Sequence, residues 1–262
     1  MTAAPATIQI PLAQGAPLVE ARFIARPNQF LVEAEYNNQR VLAHMADRGR
    51  LVDLLVRGAR LLLAHHTAIG RHTAYQAVGV YVGSELVSLD TLLPNRLIAA
   101  ALEARALPQF ARYSQIKREV PIGKHRFDFH LSNRVSSCIL EVKSVTHVVA
   151  GQARFPDAPT ARGVAHVEAL RQLSLRGQRT ALLFVVQRHT AHSVVANAAL
   201  DPAFAAALQQ AVMHGVEVYA YKCPVIPEGI RLGDALPVIV ATGEQLPAPA
   251  TLDVTHRHEA GD

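Results

Sequence analysis

Cysteine is scarce in this chain. Only Cys138 and Cys223 occur among 262 residues, too few for the disulfide framework of a small secreted domain, so a reducing compartment is expected. The N-terminus lacks the basic start and long apolar core of a signal peptide, and no apolar run approaches the length of a membrane helix. We therefore expect a soluble, cytoplasmic protein without a membrane partner.

Several catalytic signatures are also missing. Thirteen histidines occur, but neither Cys-x-x-Cys nor His-Glu-x-x-His accompanies them, which argues against a zinc site. The phosphate-binding Gly-x-x-x-x-Gly-Lys-Ser/Thr loop and the Gly-x-Ser-x-Gly elbow are absent, so nucleotide hydrolysis and serine-esterase chemistry have no support. Charged residues make up 18% of the chain and hydrophobic residues 50%, which is typical of a globular protein.

The charge balance points to an anionic partner. The net charge is +5, which suits nucleic acid, with DNA as the first candidate and RNA as the second. The length allows one large domain or two modest ones, and we prefer two. The composition also leaves room for a homo-oligomer.

The most specific stretch covers residues 126 to 144. Alternating apolar and charged residues predict a half-buried strand with Phe127 and Phe129 on its apolar face and Asp128 on its charged face. The next, mostly apolar strand carries Glu141 and Lys143 two residues apart, hence on the same face. Charged groups beside a sheet core are costly unless they are paired, hydrogen-bonded or bound to a metal.

Two interpretations compete for Asp128, Glu141 and Lys143. In the first, the three charges simply neutralise one another as a structural ion pair. In the second, both carboxylates bind Mg²⁺ or Mn²⁺, since Mg²⁺ usually takes one or two protein carboxylates and keeps several waters. Lys143 would then position the attacking water or stabilise charge developing at phosphorus. The second interpretation makes the chain a phosphodiesterase.

The motif resembles the core of a known superfamily. Asp128, followed thirteen residues later by Glu141 and then Lys143, resembles the Asp...Glu-x-Lys core of the restriction-endonuclease-like, PD-(D/E)XK-type nucleases. From about Phe23 to Val240, the chain also resembles the sugar fermentation stimulation protein A family. The segments that carry this resemblance are KREVPIGKHRFDF, ILEVKSVT, ARFPDAPTARGVAHVEAL and GVEVYAYKC.

The resemblance implies both a fold and a function. It implies an α/β protein with a small N-terminal OB-like β-barrel (residues 1–90), a restriction-endonuclease-like domain with a mixed central sheet (residues 91–242) and a tail (residues 243–262). It also implies DNA binding and a metal-dependent nuclease activity, with Mg²⁺ or Mn²⁺ as cofactor. The alternative is a DNA-binding transcriptional regulator of sugar (maltose-type) metabolism that does not cut. One departure is residues 46–48, where the family usually has Pro-Asn or similar.

The N-terminal part by itself also favours a barrel. After a loosely attached lead-in (residues 1–17), five or six short strand-like pieces are separated by Pro, Asn or Gly. OB-like barrels bind nucleic acid across an exposed strand face and loops. Arginines interleave with aromatic residues here, which suits phosphate and base contacts, although solvated arginines and core aromatics are the alternative. Our candidate contacts are Arg26, Arg50 and Arg71.

Further site residues are expected near the motif. Nucleases of this kind often carry an acid upstream of the Asp, and Glu119 is our choice for it, with Glu103 as the fallback. The alternative is a solvent-facing Glu119 paired with a neighbouring Lys or Arg. Lys124 and Arg126, immediately before Asp128 in the chain, are candidate nucleic-acid contacts.

A long loop and a helix should follow the Glu-x-Lys strand. The loop contains Gly and Pro, is of the length expected for a functional loop, and carries Asp157 as a spare carboxylate that could approach the metal. On a helix over residues 161–177, Arg162 and His166 lie four apart on one side of the first turns, where the N-terminus favours anions. We expect both to touch the nucleic-acid phosphate. Alternatively, Arg162 pairs with Asp157 or Glu119.

The remaining elements follow from apolar patterns and capping residues. Thr160 and Asp201 are the predicted N-caps of two helices. A nearly continuous apolar run over residues 180–187 predicts a buried strand, parallel to the Glu-x-Lys strand and at the centre of the sheet. We expect a loop over residues 189–201 and a final edge strand over residues 237–241.

Overall fold

The structure is a computed structural model of the chain. It describes residues 7–47, 49, 51, 53–66 and 73–240, and the backbone of residues 245–246. Arg50 and Arg71, two of the predicted nucleic-acid contacts, lie outside the described residues, and so does nearly all of the predicted tail. Within the described part of the chain, no helix is long and apolar enough to cross a membrane.

The described residues of the N-terminal part contain seven strands. They are β1 (Gln9–Ile10), β2 (Leu18–Asn28), β3 (Leu31–Tyr36), β4 (Gln39–Met45), β5 (Arg60–His65), β6 (Tyr75–Val82) and β7 (Glu85–Ser88). Strands β2 to β6 form a closed barrel, because β2 pairs with both β3 and β5, β3 with β4, β4 with β6, and β6 with β5. Closure leaves none of these five strands at a free edge, and it confirms the predicted OB-like barrel.

Three helices and thirteen strands follow in the described residues. They are α1 (Leu93–Glu103), β8 (Gln115–Ile122), β9 (His125–Ser132), β10 (Ser137–Val145), β11 (Val148–Val149), β12 (Gln152–Phe155), α2 (Ala161–Leu175), β13 (Arg179–Val186), β14 (Ser193–Ala196), α3 (Pro202–Met213), β15 (Glu217–Lys222), β16 (Val225–Ile226), β17 (Gly229–Arg231), β18 (Ala235–Leu236), β19 (Val238–Ile239) and β20 (Gln245–Leu246). The chain is therefore an α/β protein, as predicted.

A mixed six-stranded sheet forms the centre of the second half. Its order is β18-β15-β13-β10-β9-β8. The three central strands β10, β13 and β15 are parallel, whereas β9 and β8 on one side and β18 on the other are antiparallel. Helix α2 connects the motif strand β10 to β13, which confirms the predicted parallel pair at the centre of the sheet.

Two predicted loops contain strands. The segment after β10 forms β11 and β12, and the segment after β13 forms β14. These strands join β19 and β20 in a third sheet of order β11-β12-β14-β19-β20. The expected edge strand, β19, therefore lies between two partners, parallel to β14 and antiparallel to β20. The sequence prediction missed β11, β12 and β14 because each is only two to four residues long.

An early strand, β1, and two late strands, β16 and β17, extend the barrel sheet. β1 pairs with β17, β17 with β16, and β16 with β7. The prediction of a loosely attached lead-in is wrong for residues 9–12, since β1 is paired and Leu12 is only 2% exposed. The late strands β16 and β17 thus fasten the second half of the chain to the barrel.

Apolar side chains fill both faces of the six-stranded sheet. On one face, α1 packs with the outside of the barrel against Leu140 and Val142. On the other, α2 and α3 pack against Ile139 and Val145. Both helices begin at the predicted caps: Thr160 Oγ1 accepts a hydrogen bond from the Gly163 amide at 3.0 Å, and an Asp201 oxygen accepts one from the Phe204 amide at 2.9 Å.

Candidate functional site

The motif residues meet where β9 and β10 separate. The paired register ends with Leu140 opposite Phe129, and the next position on each strand is occupied by Glu141 and Asp128. Beyond this point, the Asp128 side chain takes the place of a strand partner, since its Oδ2 accepts a hydrogen bond from the Val142 amide at 2.7 Å. Two carboxyl groups are therefore held side by side at the opening between the strands.

The backbone is irregular beside Asp128. Phe127 and Phe129, which the alternation predicts on one face, pack into different cores: Phe127 on the side of α2, and Phe129 on the side of α1. Across the ladder, Glu119 has a positive φ of 53° and lacks a paired partner between two regular pairs. This conformation is uncommon for a residue with a side chain. The strict alternation predicted for β9 is therefore wrong at Asp128, where the strand changes faces.

Asp128 is held by neutral donors. Its Oδ1 accepts a hydrogen bond from the Asn95 side-chain amide at 2.6 Å, in addition to the Val142 amide at Oδ2. Burial and then the negative charge of Glu141 raise the pKa of Asp128 to about 6. The hydrogen bonds act in the opposite direction without restoring the ordinary value.

Glu141 is held by cationic or ionisable donors instead. Its side chain is 4% exposed, and its Oε1 accepts hydrogen bonds from Lys143 Nζ and His166 Nδ1, each at 2.5 Å. Burial alone would raise the pKa of Glu141, but these two partners lower it below its ordinary value. The neighbouring acids thus have pKa values shifted in opposite directions, an arrangement typical of functional sites.

The acid pair fits a divalent cation in one specific respect. Glu141 Oε2 is buried and has no hydrogen-bond partner among the described residues. A buried charged oxygen without a partner is costly, and the half-buried carboxyl group of Asp128 beside it adds to this cost. Hard cations such as Mg²⁺ and Mn²⁺ prefer carboxylate oxygens. Asp128 and Glu141 are therefore the residues that would hold such an ion.

The structure does not add a third acid to the pair. Among the described residues, no three His, Cys, Asp or Glu side chains lie close enough to share a metal ion. Glu119 and Glu103 are both exposed, Glu119 on β8 and Glu103 at the end of α1. Asp157 lines a cleft of about 720 Å³ between the second domain and the barrel. Burial raises the pKa of Asp47, which follows β4 of the barrel, and the negative charge of Asp157 adds a smaller effect in the same direction.

Two predicted nucleic-acid contacts are already engaged inside the protein. The Arg26 guanidinium donates to the backbone carbonyls of Gln29, Asp47 and Gly49. It therefore fixes the loop after β4 and is not offered to a phosphate. His166, predicted to touch the phosphate, is 4% exposed and bound to Glu141. One helical turn separates it from Arg162, and the buried face of α2 passes through His166 and not through Arg162.

The other described candidates are exposed. Lys124 lies in the turn between β8 and β9, Arg126 lies at the second position of β9, and Arg162 lies in the first turn of α2. Arg162 forms an ion pair with neither Asp157 nor Glu119, so the alternative role predicted for it is not realised. These three residues remain available to a ligand.

Asn95 is the site residue that the sequence prediction missed. It lies in the first turn of α1, 33 residues before its partner Asp128. An Asn near the start of a helix ordinarily serves as a cap or a turn residue. No local pattern distinguishes this Asn, because its function depends on α1 packing against β9 and β10.

The raised pKa of Asp128 predicts a pH effect on the metal-free protein. A carboxyl group whose folded-state pKa is about 6 instead of 3.8 binds its proton more tightly in the folded state. Protonation therefore stabilises the fold, by up to about 3 kcal/mol in the limit of low pH. The measurement is urea unfolding in EDTA. As the pH is lowered from 7.5 to 4.5, the free energy of unfolding of the wild type should rise relative to that of Asp128→Ala.

Glu168 provides a control in which stability should change with pH in the opposite direction. Its hydrogen bond from Arg171 lowers its pKa to about 2, so the stability that it contributes is lost as the pH falls below about 5. The stability of the wild type relative to Glu168→Ala should therefore fall in acid. If the difference in free energy of unfolding between wild type and Asp128→Ala does not change with pH, the pKa of Asp128 is not raised in the folded protein.

Two family profiles match consecutive parts of the chain. The SfsA N-terminal OB domain matches residues 24–89, and the sugar fermentation stimulation protein RE domain matches residues 92–229. A sugar fermentation stimulation protein homolog from Chloroflexus aurantiacus is 56% identical over 234 residues, which cover 89% of this chain and 90% of that protein. A homolog from Moorella thermoacetica is 44% identical over 217 residues, covering 82% and 94%.

A solved structure shares the whole architecture. It is described as Pyrococcus furiosus SfsA in complex with Ca²⁺, and it superposes with a TM-score of 0.80 over 88% of this chain and all of that one. The sequence identity between the two is 24%. This likeness establishes a common fold of barrel and mixed sheet.

Proposed function

The chain belongs to the sugar fermentation stimulation protein family, and on that premise we propose that it is a metal-dependent nuclease that hydrolyses phosphodiester bonds in DNA or RNA. The observation that carries the proposal is the buried, unpartnered Oε2 of Glu141 beside Asp128. A purely structural ion pair would satisfy both carboxylates. Here one buried oxygen is left over, and a hard cation bound to it would supply the missing partner.

The proposed cation is Mg²⁺ or Mn²⁺. A relative in this family, the Pyrococcus furiosus protein, is described in complex with Ca²⁺, another hard cation that prefers oxygen ligands. When bound, the ion would polarise a phosphate and lower the pKa of a coordinated water. Asp128 and Glu141 would supply its protein ligands.

The other residues of the site orient these two carboxylates and place a positive charge beside them. Asn95 fixes one Asp128 oxygen, and the buried His166 fixes Oε1 of Glu141. Lys143, which is 14% exposed and 2.5 Å from Glu141, keeps an ammonium group at the mouth of the site. There it would stabilise negative charge developing on the phosphate or orient the attacking water. Glu119 is retained as a proposed supporting acid at the exposed edge.

The test is a cleavage assay with defined substrates. Purified protein would be incubated with single- and double-stranded DNA and RNA in Mg²⁺, in Mn²⁺ and in EDTA. We expect cleavage of at least one substrate in Mg²⁺ or Mn²⁺ and none in EDTA. If no substrate is cut in Mg²⁺ or Mn²⁺ beyond the EDTA background, the nuclease proposal is wrong.

One observation favours a second candidate, a DNA-binding regulator that does not cut. Lys143 already pairs with Glu141, as the structural interpretation of the motif predicted. Calorimetry with Mn²⁺ separates the two candidates. Binding that is present in the wild type and lost in Glu141→Gln supports the nuclease, whereas salt-sensitive DNA binding without Mn²⁺ uptake supports the regulator.

A further inference from the structure

Five exposed cations lie on the elements that border the acid pair, namely strand β8, the turn before β9, the start of β9 and the first turn of α2. Because β9 and β10 are antiparallel, the start of β9 and the turn before it lie beside the end of β10, where Lys143 is located. His166 on α2 contacts the rings of His125 and Phe127 at 5.6 and 5.7 Å, which brings the start of α2 to the same place. We call these five residues the cationic rim: Lys117, Arg118, Lys124, Arg126 and Arg162.

The charges of the cationic rim are not neutralised within the protein. None of the five residues forms an ion pair within the described part of the chain. Arg118 lies over the Phe129 ring at 6.0 Å, which leaves its guanidinium edge free to donate. Residues 115–126 contain four Lys or Arg residues and only one acidic residue, Glu119. The hairpin β8–β9 therefore carries a positive field next to the proposed cleavage site.

The barrel part, by contrast, carries nearly as many acids as cations, since residues 1–90 contain eight Arg, no Lys and seven Asp or Glu. Arg60 pairs with Glu20 at 2.8 Å. Glu35 lies directly opposite Arg22 on one neighbouring strand and opposite Arg40 on the other. A phosphate brought to this strand face would lie beside the negative charge of Glu35 and would compete with Glu20 for Arg60, which reduces the electrostatic gain.

We propose that nucleic-acid phosphates bind along the cationic rim, and that the described strand face of the barrel is a scaffold and not the principal binding surface. The inference rests on the proposed function only in taking nucleic acid as the partner. Unpaired surface cations release counterions from nucleic acid when they bind a phosphate, and this release drives much of the affinity. The alternative is that these charges merely protect the free edge of β8 from pairing with another chain.

The salt dependence of binding tests the proposal. Binding of a fluorescent DNA duplex would be measured in EDTA, where no metal-dependent cleavage occurs, at several salt concentrations. Each lost phosphate contact lowers the slope of log affinity against log salt by about 0.9. For Lys124→Gln with Arg126→Gln, we expect the slope to fall by about 1.8 and the affinity near 0.1 M salt to fall at least tenfold.

Matched pairs of substitutions on the barrel complete the experiment. Arg40→Gln with Arg57→Gln removes the same charge from exposed barrel positions, and Arg50→Gln with Arg71→Gln removes it at two positions outside the described residues. Each barrel pair should change the slope by less than about 0.5. A larger slope change in either barrel pair than in the rim pair, or an unchanged slope in the rim pair, overturns the inference. So does a wild type that binds no nucleic acid.

The result is separable from that of the cleavage assay. A protein that binds through the cationic rim but cuts no substrate in Mg²⁺ or Mn²⁺ leaves this inference intact and refutes the nuclease proposal alone. A protein that cuts, but whose rim variant keeps the wild-type salt slope, does the reverse. Unchanged circular dichroism and melting temperature of the variants would show that the substitutions leave the fold intact.

Discussion

Replacing Lys143 with Met should lower the rate of phosphodiester cleavage by about 100- to 1,000-fold, the usual cost of losing one stabilising group from an active site. The ammonium group lies 2.5 Å from Glu141 and is 14% exposed, so it is close to the proposed metal ligands and still open to the substrate. Met preserves the volume of the side chain and removes only its charge. The measurement is the single-turnover rate at saturating Mn²⁺.

Metal binding should respond differently from cleavage in the same variant. Lys143 competes with a cation for Glu141, so Mn²⁺ affinity measured by calorimetry should be retained or increased in Lys143→Met. Lys222, the last residue of the parallel strand β15, provides a matched Lys→Met control with an expected rate close to wild type. Cleavage that persists at the wild-type rate in Lys143→Met would exclude Lys143 from the chemistry or reveal a contaminating nuclease.

Removing Glu85 should destabilise the fold by about 3 to 5 kcal/mol, because it leaves a buried cation without its partner. Glu85 lies on β7 of the barrel and is 6% exposed. It accepts hydrogen bonds from Arg188 Nε at 2.7 Å and from the amide and hydroxyl of Thr190 at 3.1 Å, and Nδ1 of the exposed His189 lies 2.9 Å from it. Urea unfolding of Glu85→Ala would measure the cost.

Glu20 provides the matched control. Its ion pair with Arg60 is exposed, with side-chain exposures of 53% and 41%, so Glu20→Ala should cost less than about 1 kcal/mol. A double variant, Glu85→Leu with Arg188→Met, should recover part of the loss, because an apolar pair replaces the buried charges. Equal costs for Glu85→Ala and Glu20→Ala would show that the link between barrel and second domain is not a buried ion pair in solution.

Local sequence patterns were sufficient for the regular elements. Short strand-like pieces separated by Pro, Asn or Gly predicted the barrel strands, and Thr160 and Asp201 were identified as helix caps from their residue types and positions. The two-residue spacing of Glu141 and Lys143 predicted their common face, and the two side chains do meet. Where the backbone departs from regularity, as it does beside Asp128, the same alternation failed for Phe127. Apolar periodicity assumes a regular strand, so it does not predict the position at which a strand becomes irregular.

The roles of individual polar residues were harder to predict than the elements that carry them. Arg26 was expected to bind phosphate, yet its guanidinium meets three carbonyl oxygens of neighbouring loops. His166 was expected at the surface, yet the packing of α2 against the sheet turns it toward Glu141. Arginine and histidine can each bind a phosphate or form hydrogen bonds inside a protein. Which of the two they do here depends on the groups that the fold places next to them.

The sequence by itself determined that two acids and a lysine lie on adjacent strands of an α/β domain behind a small barrel, because side-chain period, turn residues and caps act over a few neighbouring positions. Only the tertiary structure decided which partners those charges have. Asn95 reaches Asp128 across 33 residues, His166 reaches Glu141 across 25, and Arg188 reaches Glu85 across 103. The physical reason is that burial, hydrogen bonding and pKa depend on distances in space, which packing of separate elements sets.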